Sequence, residues 1–93
     1  FRKALLGYST HVQNYGWQPE CGDGETSGSV GSSKRLEAIK IELKNSINGG
    51  ISYCTHVQTY GWQDWKSNGE LAGTSGEGKR LEAIKIKLSR RGS

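Results

Sequence analysis

The chain has no methionine, one proline, two cysteines and one phenylalanine in 93 residues, and apolar residues make up only 32% of it. So little apolar material excludes a large helical core, and the length excludes an enzyme with separate cofactor and substrate domains. No apolar run approaches the roughly 18 residues that a membrane-spanning helix needs. Two cysteines and two histidines without clustered spacing make no zinc site, and no metal or other cofactor is expected. The alternating carboxylates of a calcium loop are missing too. So are a G-x-S-x-G elbow, an H-E-x-x-H pair and a P-loop.

A one-signed charge is also missing from the body of the chain. Thirteen Lys and Arg stand against nine Asp and Glu, a net charge of +4 that invites a nucleic-acid reading. Arg2, Lys3, Arg90 and Arg91 lie at the ends, however, and residues 4–89 carry nine basic and nine acidic side chains. No nucleic-acid partner is expected.

What is present is aromatic and repetitive. Three Trp, four Tyr and 14 Gly are not the composition of a disordered chain. Tyr8 to Leu43 aligns with Tyr53 to Leu88 at a constant offset of 45, with 22 identities in 36 positions and no insertion. T-H-V-Q-x-Y-G-W-Q stands at 10–18 and 55–63, G-E at Gly24-Glu25 and Gly69-Glu70, and K-R-L-E-A-I-K-I-x-L at 34–43 and 79–88. Each copy is one supersecondary unit that packs on its neighbour to bury its apolar face. Residues 1–48 and 49–93 are thus two units of one module, joined by a tight connector at Ile47-Asn48-Gly49-Gly50.

The pattern predicts an all-β fold of three to four short strands per unit. Tyr8–Asn14 alternates as a strand, Tyr15-Gly16 and Tyr60-Gly61 bend the chain, and a second extended piece starts at Trp17 and Trp62. Asp23-Gly24 and Asn68-Gly69 predict a type I′ hairpin, with return strands at 25–29 and 70–74. Leu36, Ile39 and Leu43 fit a helix face, but the alternation Ile39-Lys40-Ile41-Glu42-Leu43 is cleaner and predicts a strand.

The three blocks, in this order and written twice, resemble the ChW repeat, the clostridial hydrophobic repeat with a conserved tryptophan. The resemblance covers nearly the whole chain. It implies an extracellular or surface-associated protein whose repeats bind the cell surface, glycans or proteins, often beside a hydrolase such as a lysin. No leader peptide is visible, so extracellular placement rests on this resemblance. The opening Phe1 in place of Met is expected of a fragment or a processed chain. Repeats of the family often come in threes, which would suit a pseudo-symmetric β-prism or β-trefoil. Two units leave exposed edges, so either the pair closes as a sandwich or chains associate into a homo-oligomer.

Every candidate catalytic residue is duplicated: His11 with His56, Glu37 with Glu82. Duplication argues for repeated contacts, and the module is expected not to be an enzyme. The candidate ligand-binding residues are His11, Gln13, Tyr15 and Trp17, their counterparts His56, Gln58, Tyr60 and Trp62, and Trp65. If the first four stay extended they point to one side. Aromatic rings stack on the apolar C–H faces of sugars while His and Gln serve the hydroxyls. A tryptophan repeated in each copy of a small β unit is nevertheless more often its core plug, and the histidines fit a buried hydrogen bond as well as a ligand contact. Trp65 replaces Glu20 and has no counterpart, as an interface or contact residue would. Lys34-Arg35 and Lys79-Arg80 are expected to be solvated or paired with Glu37 and Glu82, or to meet anionic wall polymers. The expected partner is a bacterial cell-wall glycan or wall polymer, bound without a membrane span. The alternative is an extracellular protein–protein assembly module.

Overall fold

The computed structural model describes residues 5–44 and 49–90. Nine strands follow in order: β1 (Leu6–Val12), β2 (Gly16–Trp17), β3 (Cys21–Gly22), β4 (Leu36–Leu43), β5 (Gly49–Val57), β6 (Gly61–Trp62), β7 (Lys66–Ser67), β8 (Ala72–Gly73) and β9 (Leu81–Arg90). All pairing is antiparallel, in two sheets. The all-β expectation holds, and the K-R-L-E block is a strand in both units. The connector at Ile47-Asn48 and the charges at Arg2, Lys3 and Arg91 lie outside the described residues. Gly49 and Gly50 already belong to β5.

Each unit is built around one long hairpin-like pair. β1 lies against β4 from Leu6↔Leu43 to Val12↔Leu36, and β5 lies against β9 from Gly49↔Arg90 to Val57↔Leu81. Short strands cover the other side of β1 and β5: β2 and β3 in the first unit, β6 and β7 in the second. The first strand begins and ends two residues earlier than its alternation suggested. Tyr15 N–H donates to Val12 C=O at 3.0 Å, so the chain turns through Gln13 and Asn14, two residues before the expected bend. Asn14 takes the left-handed φ of 68° this turn needs, and Thr59 must do the same at 76°.

The Asp23-Gly24 turn is present but differs in kind. Glu25 N–H closes it onto Gly22 C=O at 2.9 Å, and only Gly24, at φ 79°, lies in the left-handed region. One positive φ, at the third position, is type II geometry and not type I′. Type II suits a segment that leaves its own strand, and no hairpin forms. In the second unit the segment after the turn becomes β8, which pairs with β4 of the first unit, Ala38↔Gly73 and Ile39↔Ala72.

That exchange interlocks the units. Thr74 N–H donates to Glu37 C=O at 3.0 Å and Gly69 N–H to Ile41 C=O at 2.7 Å. Tyr53 is fully buried, and its hydroxyl accepts from Ile41 N–H at 3.1 Å while donating to Glu70 C=O. Ile41, Ile51, Tyr53 and Ala72 form the shared core, with Leu6, Tyr8, Ile39 and Leu43 against it. Each large side chain buried there contributes roughly 1.5–3 kcal/mol. Gly73 is required at the crossing: a Cβ there would stand 2.6 Å from Glu37 O and 2.9 Å from Ala38 Cα. Cys21 and Cys54 are both free thiols, Cys54 buried, so the units are joined without a disulfide.

Candidate functional site

The tight turn after β1 folds β2 back so that His11 faces Trp17 directly across the pair, and His56 faces Trp62. The rings meet edge to face with centroids 5.3 Å apart in both units. His11, Gln13, Tyr15 and Trp17 are therefore not one row of an extended strand; the turn separates Gln13 and Tyr15 from the His–Trp pair. The tryptophans are not core plugs. Trp17 and Trp62 are 36% and 45% exposed, and the buried apolar side chains near the turn are Val12 and Val57.

A β-bulge supplies the next member. Ala38 pairs with His11 and Leu36 with Val12, leaving Glu37 as the extra residue, and Glu82 is left over in the same way between Leu81 and Ala83. A bulge re-aims the side chain it inserts. Glu37 Oε1 lies 3.0 Å from His11 Nδ1 while its Oε2 accepts from Arg35 Nε at 2.9 Å. Glu82 repeats this with His56 Nδ1 and an Arg80 nitrogen, both at 3.1 Å. The expected pairing of Arg35 and Arg80 with these glutamates is thus formed.

Lysines complete each site. Lys40 Nζ stands 4.3 Å from the Trp17 ring centroid and Lys85 Nζ 4.3 Å from that of Trp62, within cation–π range. Lys34 and Lys79 approach the Tyr15 and Tyr60 rings at 5.7 and 5.6 Å. Tyr15 and Tyr60 are about half exposed. The Tyr60 hydroxyl also bonds the Glu77 carboxylate, which pushes its ionisation above the usual phenol range. Gln13 and Gln58 are held differently. Each side-chain carbonyl accepts from the backbone N–H of Arg35 or Arg80 at 3.3 Å, and each backbone N–H donates to the same residue's carbonyl at 2.9 Å. These glutamines tie the turn to the following strand.

The two sites differ in access. β8 crosses over Glu37, which is 5% exposed, whereas no strand crosses Glu82 among the described residues. Trp65 extends the second site: it is 45% exposed, and Lys87 Nζ stands 4.4 Å from its ring centroid. In the first unit the corresponding place holds ion pairs, Lys44 Nζ with Glu20 at 2.8 Å and with Glu42 at 3.5 Å. The Glu20 contact raises the Lys44 ionisation above its ordinary value. The second unit therefore presents three exposed aromatic rings, Tyr60, Trp62 and Trp65, each with its lysine. Among the described residues no cluster of three metal-ligating side chains occurs.

Lys40, Lys85 and Lys87 over the rings escaped the sequence reading, which singled out histidines, glutamines and aromatic residues. Lys40 and Lys85 stand out only once the strand register carries them beside Trp17 and Trp62. Trp65 and Lys87 left a trace: Glu20 and Glu42 of the first unit are replaced together by Trp65 and Lys87 in the second.

No curated protein and no solved structure matches this chain. The family model described as clostridial hydrophobic W matches it twice, over residues 11–45 and 56–90. Both matches contain the histidine, tryptophan, bulged glutamate and lysine of the site just described, and together they cover most of the sequence. The chain belongs to the clostridial hydrophobic W family, as two tandem copies of its ChW repeat.

Proposed function

We propose that this tandem repeat is a non-catalytic module that binds bacterial cell-wall carbohydrate or wall polymer, outside the cell, and holds an attached hydrolase against its substrate. The observation that carries this reading is the exposed tryptophan of each unit, set between a histidine and a lysine in matching geometry. Such a ring offers an apolar platform for a sugar C–H face, and the lysine beside it attracts carboxylate or phosphate groups. His56 and Glu82 supply a partly exposed acceptor and donor set for hydroxyls. Two weak sites on one chain gain avidity on a dense repeating ligand, and self-association would multiply them.

The test is co-sedimentation with purified cell walls stripped of protein. Retention of the wild type, lost in Trp17→Ala and Trp62→Ala variants that keep their strand signature, supports the reading. A wild-type domain that ignores stripped walls sinks it. A salt series then separates stacking from attraction to anionic polymer, because the latter weakens steeply with ionic strength. The second reading is an extracellular assembly module that binds protein. It is favoured by Trp65, an exposed ring with no counterpart in the first unit, and retention only on walls that keep their proteins would select it.

A further inference from the structure

The interface between the two units uses two different surfaces, and the chain carries a second, unused example of each. β4 offers its edge and β8 of the next unit docks on it. The strand equivalent to β4 is β9, which pairs β5 on one side and no strand on the other among the described residues. Its side chains register the missing neighbour. Ile84, Ile86 and Leu88 are 41%, 54% and 70% exposed, whereas Ile41, the counterpart of Ile86, is 5% exposed. Ala83 is exposed where its counterpart Ala38 is fully buried.

The complementary surface is equally ready. Ser27-Gly28 is the counterpart of β8 and pairs with no strand among the described residues. Gly28 nevertheless holds φ 116°, close to the 105° of Gly73, although no foreign backbone crowds it. The Tyr8 hydroxyl, like that of Tyr53, donates to the carbonyl of the turn glutamate, Glu25, and it also lies 3.1 Å from Gly22 C=O. An apolar cavity of about 660 Å³ adjoins the β9 face, lined by Leu5, Leu6, Leu43, Ile51, Ile86 and Leu88. It gathers equivalent residues from both units, Leu6 with Ile51 and Leu43 with Leu88.

We propose that β9 is the docking edge for the Gly22–Ser29 segment of a second copy of this chain, in the register that β4 and β8 show. The occupant follows from the interface already present, since the partner surface is a version of the one β4 binds. Charge agrees. Residues 22–29 carry Asp23 and Glu25 with no basic residue, and β9 carries Lys85 and Lys87 against Glu82. Where β4 has Glu42, β9 has Lys87, which suits the more acidic segment. The two surfaces are different, so the contact is heterologous and association closes as a ring or grows as a filament.

Light scattering across a concentration series tests this on the intact chain, with two variants. Ile86→Lys spoils the edge while replacing a half-exposed side chain. Gly28→Gln spoils the other surface, placing a side chain where Gly73 meets Glu37 O and Ala38 Cα, that is, at Glu82 O and Ala83 Cα of the incoming β9. The wild type is expected to rise above the 10.2 kDa monomer with concentration, and each variant alone to stay monomeric. An equimolar mixture of the two should stop at a dimer, because only one good surface of each kind remains. A wild type that stays monomeric at every soluble concentration overturns the proposal. So do variants that associate as the wild type does, or a mixture that forms no dimer. Should Gly28→Gln fail to fold, Ile86→Lys reads the same interface alone: a monomer supports the proposal and unchanged association overturns it.

Discussion

Ile41 and Ile86 hold the same position in two copies of one unit, 45 residues apart, yet the first is 5% exposed and the second 54%. The neighbouring residues of both strands are nearly identical, so the difference is one of neighbours. Ile41 lies under Tyr53 and Ala72 of the second unit, while among the described residues no strand pairs the free edge of β9 beside Ile86. The unit is thus half an interface, and the fold is the completion of that interface once.

Tyr53 should anchor this contact. Tyr53→Phe removes the hydroxyl and leaves Ile41 N–H and Glu70 C=O unpartnered, at a cost of roughly 1–3 kcal/mol in denaturant unfolding. Burial also pushes the phenol above its ordinary ionisation near pH 10. The sign follows from linkage: the neutral form is favoured in the folded state, so its stabilisation is complete below about pH 10 and is lost as pH rises through the higher folded value. Urea midpoints taken between about pH 8 and pH 11 should fall more steeply for the wild type than for Tyr53→Phe.

Gly73 and Gly28 separate conformation from contact. Both hold positive φ, but only Gly73 faces the backbone of β4. Gly73→Ala combines backbone strain with a clash and should cost roughly 2–4 kcal/mol. Gly28→Ala meets the flexible end of Leu36 at 3.1 Å and should cost less in the monomer. Thermal unfolding of the two variants at low concentration compares them; equal losses would contradict the interlocked arrangement.

Thr59 is the β-branched residue in a left-handed conformation, where its counterpart is Asn14. Asn tolerates this region far better than Thr. Thr59→Asn should raise stability by roughly 0.5–1 kcal/mol, even though it gives up the 3.3 Å contact from Lys79 Nζ. A lowered melting temperature would show that this contact outweighs the strain.

Thr10 and Thr55 are both buried, but their hydroxyls fare differently. Thr10 Oγ1 lies 2.8 Å from Ser27 Oγ, whereas Ala72 stands in the equivalent place and Thr55 Oγ1 has no partner. Thr55→Val should therefore be neutral or stabilising by up to about 1 kcal/mol, and Thr10→Val destabilising by about the same amount. Chemical denaturation of the pair checks the opposite signs.

Trp17 and Trp62 are partly exposed, so Trp17→Ala and Trp62→Ala should each cost only about 1 kcal/mol, mainly through the lost histidine and lysine contacts. A loss of several kcal/mol, or collapse of the strand signal in circular dichroism, would make them structural residues after all.

The residues alone determined the two units, their all-β character, the last strand of each and the aromatic positions of the candidate site. These follow from short-range patterns: a 45-residue offset, period-two alternation and glycine turns. Partners distant in sequence were decided by tertiary structure. Nothing local to Glu37 or Glu82 marks them as bulge residues aimed at a histidine; only the register of β1 on β4 and β5 on β9 does so. Nothing local to Asn68-Gly69 shows that the segment after the turn crosses to the other unit, because hydrogen bonding to its own strand or to its neighbour satisfies the same backbone groups. And two nearly identical strands, β4 and β9, became one buried and one open, since burial belongs to the pair of surfaces that meet and not to either sequence.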